Sequence, residues 1–160
     1  MKIKGIVDED FVNFKRASMF IGLGTCNWKC CIENNMSISI CQNSELAKQK
    51  DIDVSVDKIF YRYITNPITS AIVIGGLEPF TQKKDIVNLI KHFRINYCND
   101  CFIIYTGFYE YEIQEEIKML KKYSNIILKT GRYIPNQNPH FDKLLGVNLA
   151  SDNQYAIKIS

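Results

Sequence analysis

Four apolar runs, each closing on glycine, constrain this chain more than any other feature. They are Ser18-Met19-Phe20-Ile21-Gly22-Leu23-Gly24, Ser70-Ala71-Ile72-Val73-Ile74-Gly75-Gly76, Cys101-Phe102-Ile103-Ile104-Tyr105-Thr106-Gly107 and Asn125-Ile126-Ile127-Leu128-Lys129-Thr130-Gly131. Short continuous apolar runs bounded by turn residues are the pattern of strands buried on both faces. Helical periodicity lies between them. Ile59, Phe60, Tyr63 and Ile64 mark a helix over Val56 to Thr65, which Asn66-Pro67 ends. Ile86, Leu89, Ile90 and Phe93 mark one over Gln82 to Tyr97, and Ile113, Ile117 and Leu120 one over Tyr111 to Tyr123. A polar segment from Ser44 to Lys50 is also helix-compatible, with Ser44 as a cap. Residues 1–17 read as a short strand or hairpin, and the chain beyond Arg132 as mostly irregular, with a short strand near Tyr155 to Ile159.

Strand, loop and helix repeated in this way predict βαβ units, a parallel sheet and right-handed crossovers in an α/β domain. An open sheet and an incomplete barrel fit the pattern equally. In both, the functional edge is the C-terminal end of the strands.

A chain of 160 residues is expected to form one domain, 1–160. Lys and Arg exceed Asp and Glu by only 20 to 17, and no basic cluster is interleaved with aromatics, so no nucleic-acid partner is expected. The N-terminus carries charges in place of an apolar signal region, and no apolar run reaches membrane-spanning length, so a cytoplasmic location without a membrane partner is expected. In that compartment six cysteines point to metal ligands or free thiols ahead of disulfides.

Four of those cysteines, Cys26, Cys30, Cys31 and Cys41, fall in the loop after the first run. Cys26 and Cys30 are close enough to converge from one loop, and the residues before Cys41 suffice to return a third thiolate. A structural zinc site would want a fourth ligand, whereas three thiolates suit a [4Fe–4S] cluster with one iron open to a small molecule. Cys31, adjacent to Cys30, competes with Cys41 as the third ligand. Unliganded thiols are the remaining alternative.

This loop resembles the signature of the radical S-adenosylmethionine (SAM) enzymes, Cys-x3-Cys-x2-Cys after the first strand. More narrowly, the chain resembles the activating proteins of anaerobic ribonucleotide reductase, in which an Asn stands two residues after the third cysteine, as Asn43 does in Cys41-Gln42-Asn43. The longer gap from Cys30 to Cys41 makes residues 31–40 an insertion. The resemblance implies that Ile40 packs near the adenine of SAM. Gly75-Gly76-Leu77-Glu78-Pro79 resembles the family's Gly-Gly-Glu-Pro turn, which implies a site for the methionine ammonium group. Leu77 is extra or stands in for a glycine. Tyr105-Thr106-Gly107-Phe108 matches the subgroup's Thr-Gly-Tyr turn, and Ser151-Asp152-Asn153-Gln154 its Ser-x-Asn-Gln ending. Lys129-Thr130-Gly131-Arg132 stands where the subgroup carries Asp-Gly, and the acid is absent.

The resemblance implies an incomplete (β/α) barrel of parallel strands, a [4Fe–4S] cluster on Cys26, Cys30 and Cys41, and SAM as cosubstrate. Reductive cleavage of SAM would yield a 5′-deoxyadenosyl radical that makes a glycyl radical on a partner, anaerobic ribonucleoside-triphosphate reductase. Flavodoxin or ferredoxin would donate the electron. A radical SAM protein with another target, and a non-catalytic module stabilised by iron–sulfur or zinc, are the competing functions. The Cys98-Asn99-Asp100-Cys101 pair, without a second pair, reads as incidental thiols. His92 reads as a solvated helix residue and His140 as a loop residue.

Overall fold

The four apolar runs become the centre of one sheet, because side chains on both of their faces find apolar partners. The computed structural model describes residues 1–160. The chain opens with β1 (Lys2–Asp10) and β2 (Ser18–Leu23), then enters the cysteine loop, which carries α1 (Lys29–Glu33), a 3-10 turn at Ile38–Ile40 and α2 (Ser44–Lys48). Next come β3 (Ile52–Asp53), α3 (Val56–Ile64), β4 (Ala71–Gly76), α4 (Lys83–Ile95), β5 (Cys101–Tyr105), α5 (Gln114–Leu120) and β6 (Ile126–Thr130). A hairpin of β7 (His140–Asp142) and β8 (Val147–Leu149) precedes the last strand, β9 (Tyr155–Lys158).

The sheet order is β3-β1-β2-β4-β5-β6-β9. β2, β4, β5 and β6 pair in parallel, while β1, β3 and β9 pair antiparallel at the flanks, so the sheet is mixed and has two free edges. A strand joined to β2 by so few residues has no room for a crossover and must run antiparallel to it. No helix is long and apolar enough to cross a membrane.

Alternation along each strand sorts the core. Ile72, Ile74, Phe102, Ile104, Ile126 and Leu128 pack beneath α3, α4 and α5. Ala71, Val73, Ile103 and Ile127 face the other way, under Phe14, Leu145 and Leu149. Toward the C-terminal ends, that second face carries Gly75, Tyr105 and Lys129, and the cysteine loop lies over it. Ser55 caps α3 by accepting from the Lys58 amide at 3.3 Å. Ser44 is the first residue of α2 and not its cap, a place taken by Asn43 without a side-chain bond.

A charged quartet fixes the cysteine loop to this scaffold. Arg132, just past β6, has a side chain only 2% exposed. Its guanidinium donates to both Glu33 oxygens at 2.5 and 2.9 Å and to both Glu112 oxygens at 2.6 and 2.7 Å. It also donates to the Gly107 carbonyl at 2.9 Å and lies over the Tyr109 ring. Lys29 pairs with Glu112 and, at 3.5 Å, with Glu33. Lys29 and Glu33 belong to α1, while Glu112 ends a 3-10 turn after β5. Two cations and two carboxylates thus join the cysteine helix to the exits of β5 and β6.

Two measurements probe this architecture. Hydrogen bonds from Arg132 and Lys29 hold the Glu112 carboxyl down to about 2, against an ordinary 4.5. The group is depressed in the folded state, so its stabilisation is present above about 4.5 and lost as the pH falls toward 2. Urea unfolding across that window should show a loss of stability that is reduced in Arg132→Met. Phe93 is fully buried and meets Phe60, Tyr63 and Phe102 at centroid distances of 4.9, 5.3 and 5.1 Å. Phe93→Ala should lower the unfolding free energy by about 3–5 kcal/mol, read from the denaturation midpoint.

Candidate metal centre

Parallel pairing brings the ends of β2, β4, β5 and β6 level. Gly22 lies opposite Gly75, Leu23 opposite Gly76, and Tyr105 opposite Lys129. The segments that leave these strands therefore meet. Between them lies a cavity of about 300 Å³.

Cys26, Cys30, Cys31 and Cys41 all line it. Trp28 adopts a left-handed conformation (φ 58°), which turns the chain from Cys26 into α1, and its amide donates to the Cys26 sulfur at 3.3 Å. Cys30 then projects toward β5. A Cβ on Gly107 would stand 2.6 Å from the Cys30 sulfur, so only glycine lets the thiol approach this closely. Cys31, the next residue of the same helical turn, is buried, with Cys41 beside it. Burial pushes the Cys26 thiol up to about 11 and raises Cys30 and Cys31 as well. These thiols are protonated at neutral pH, and a metal must displace their protons to bind.

Glu78 is buried, and its carboxylate is turned into the protein wall. One oxygen accepts from the Thr106 hydroxyl at 2.7 Å and the Phe80 amide at 3.1 Å, the other from the Gly107 amide at 2.9 Å. It therefore clasps the turn after β4 to the turn after β5. Burial raises its pKa, and these three donors oppose the rise. Gly76 takes a positive φ of 78°, and a Cβ there would meet Leu46 at 2.5 Å.

Of the residues singled out in the sequence, Cys26, Cys30, Cys31, Cys41, Asn43, Gly76, Glu78, Thr106 and Gly107 share the cavity wall. Gly75 lies one residue deeper, against Tyr105, and Pro79 is buried at the start of a 3-10 turn. Ile40 does not join them. It is half exposed on the Ile38–Ile40 turn, because that turn leads the chain outward before Cys41 returns it. Of residues 31–40, Cys31 to Glu33 complete α1 and Ile38 to Ile40 form the 3-10 turn.

Sequence reasoning gave no role to Lys129 and Arg132, although it marked their stretch, and missed Glu33 and Glu112. A charged Lys129 inside an otherwise apolar strand was the one visible signal. Its side chain lines the cavity, and burial lowers its pKa to about 8. The Ser151–Gln154 stretch acts on the exit of β6. Gln154 Nε2 donates to the Gly131 carbonyl and Asn153 Nδ2 to that of Arg132, at 3.3 and 3.0 Å. Cys98 and Cys101 lie at the opposite end of the sheet from the cavity, and both are free. His92 packs edge-on against Phe60, 5.0 Å away, so it is not merely solvated.

The donor set fits an iron–sulfur cluster. A cluster takes thiolates spaced around a cavity, one per iron, whereas a single zinc ion needs its ligands on one point. No group of three Cys, His, Asp or Glu side chains is placed to hold a metal ion as the chain stands. Cys26, Cys30, Cys31 and Cys41 do share one cavity wall, with Cys41 beside Cys31.

No curated protein matches the chain. A family profile matches residues 15–155, which runs from just before β2 to the first residue of β9 and includes all four loop cysteines. The chain thus belongs to the family described as the 4Fe-4S single cluster domain.

Proposed function

We propose that this chain is a radical SAM activase of the anaerobic ribonucleotide reductase type, its sheet the incomplete (β/α) barrel of that superfamily. The observation that carries the reading is one cavity at the C-terminal strand ends, shared by the loop cysteines, Gly76 of the Gly-Gly-x-Glu-Pro turn, and Thr106-Gly107. Cys26, Cys30 and Cys41 would hold the cluster and leave one iron open. When bound, the cluster supplies one electron for reductive cleavage of SAM, yielding the radical that abstracts hydrogen from a glycine of the partner reductase.

The chain's own residues bind and orient. Glycines at 75 and 76 let backbone carbonyls approach the SAM ammonium group. Glu78 supports that turn through its clasp on Thr106 and Gly107. Trp28, Tyr133 and Leu149 line the cavity and limit its water. An external donor, flavodoxin or ferredoxin, delivers the electron.

One observation favours a second reading. Cys31 lines the same cavity as the other three cysteines. Four thiolates would close the cluster, leave no iron for SAM, and make the chain an electron carrier or a cluster-stabilised binding module.

Anaerobic reconstitution with iron and sulfide tests both. The first reading expects a brown protein that converts SAM to 5′-deoxyadenosine after reduction, and a glycyl-radical signal on mixing with an anaerobic ribonucleotide reductase. Cys41→Ala should abolish SAM cleavage and Cys31→Ala should preserve it. A brown protein inert toward SAM, and dependent on all four cysteines for its cluster, would establish the closed site. Gly107→Ala should displace Cys30 and lower the iron bound per chain, with the far-ultraviolet circular dichroism unchanged.

A further inference from the structure

The cavity wall carries a buried cation that makes no direct ion pair. Lys129 lies on β6 between Leu128 and Thr130, opposite Tyr105 of β5 and Ala156 of β9. It is 6% exposed and lines the cavity together with Cys26 and Cys30. Its Nζ makes one hydrogen bond, to the Gly131 carbonyl at 3.2 Å, of the three an ammonium can donate. Arg132 and Lys29 are balanced by Glu33 and Glu112. The Glu78 carboxylate, bonded to Thr106, Gly107 and Phe80, acts on Lys129 only through space. A buried ammonium without a bonded counter-ion favours an anion beside it. The cavity that Lys129 lines is open to one.

We propose that the Lys129 ammonium is the built-in counter-ion of the cluster, set to favour its reduced state. The proposal rests on the cluster occupying this cavity. A [4Fe–4S] core with three or four thiolates is a net anion and gains a further negative charge on reduction. A fixed cation on the wall therefore stabilises the reduced form more than the oxidised one and raises the reduction potential. Lys129 touches no substrate in this role. It is a positioning and tuning residue that acts through the field at the cluster.

The test is an electron paramagnetic resonance redox titration of reconstituted native protein, Lys129→Arg, Lys129→Gln and Lys129→Met, without SAM. The midpoint potential should fall in Lys129→Gln and Lys129→Met and stay near native in Lys129→Arg, at equal iron content. Equal midpoints in all four proteins would overturn the proposal while leaving the cluster assignment intact. A native chain that binds no cluster would overturn both. If Lys129→Met does not fold, Lys129→Gln against Lys129→Arg carries the comparison, because both keep a polar head group at the position.

Discussion

The placement of the cysteine loop depends on the buried Arg132 guanidinium. The loop is long, polar and built from short helical turns that cannot hold themselves. Two bidentate carboxylate pairs give Arg132 a fixed geometry that a lysine could not supply. One carboxylate comes from the cysteine helix and the other from the segment after β5, so the same side chain sets the height of Cys30 above Gly107. Burying such a group is justified by what it positions more than by net stability, since a buried ion pair rarely exceeds its desolvation cost by much.

From that fixed point the cavity follows. The parallel strands end level, and each contributes different groups: thiols after β2, a glycine turn at the end of β4, a hydroxyl and an amide after β5, a cation within β6. Glu78 shows how the protein manages a carboxylate there. Its three donors keep it folded into the wall and make the turns after β4 and β5 one unit. A carboxylate free to swing would compete with the thiolates for iron. Lys129 is the opposite case, a charge left open toward the cavity.

Much of the scaffold was legible because its signals are local. Apolar runs such as Ile72-Val73-Ile74 and Ile103-Ile104 have few ways to be buried other than as central strands, and they are fully buried. Helical spacing at Ile86, Leu89, Ile90 and Phe93 likewise found its inward face. The β7–β8 hairpin was not legible. Its strands are three residues each and owe their form to packing of Leu145 and Leu149 over Val73 and Ile103. The antiparallel course of β9 was also hidden, because edge pairing leaves no trace in hydropathy.

The candidate site divides in the same way. The sequence by itself determined which chemistry is available: soft thiols grouped in one loop, glycine turns at strand ends, and an acid beside one of them. Residue type and spacing carry that information directly. Only the tertiary structure decided which of these groups face one another. It put Cys31 on the same cavity as Cys41, left Ile40 in solvent, and turned Glu78 inward. It also recruited Glu33, Glu112, Lys129 and Arg132, which lie far apart in the chain. Buried charges can be satisfied only by partners that the fold brings within hydrogen-bond reach, and no local pattern records who those partners are.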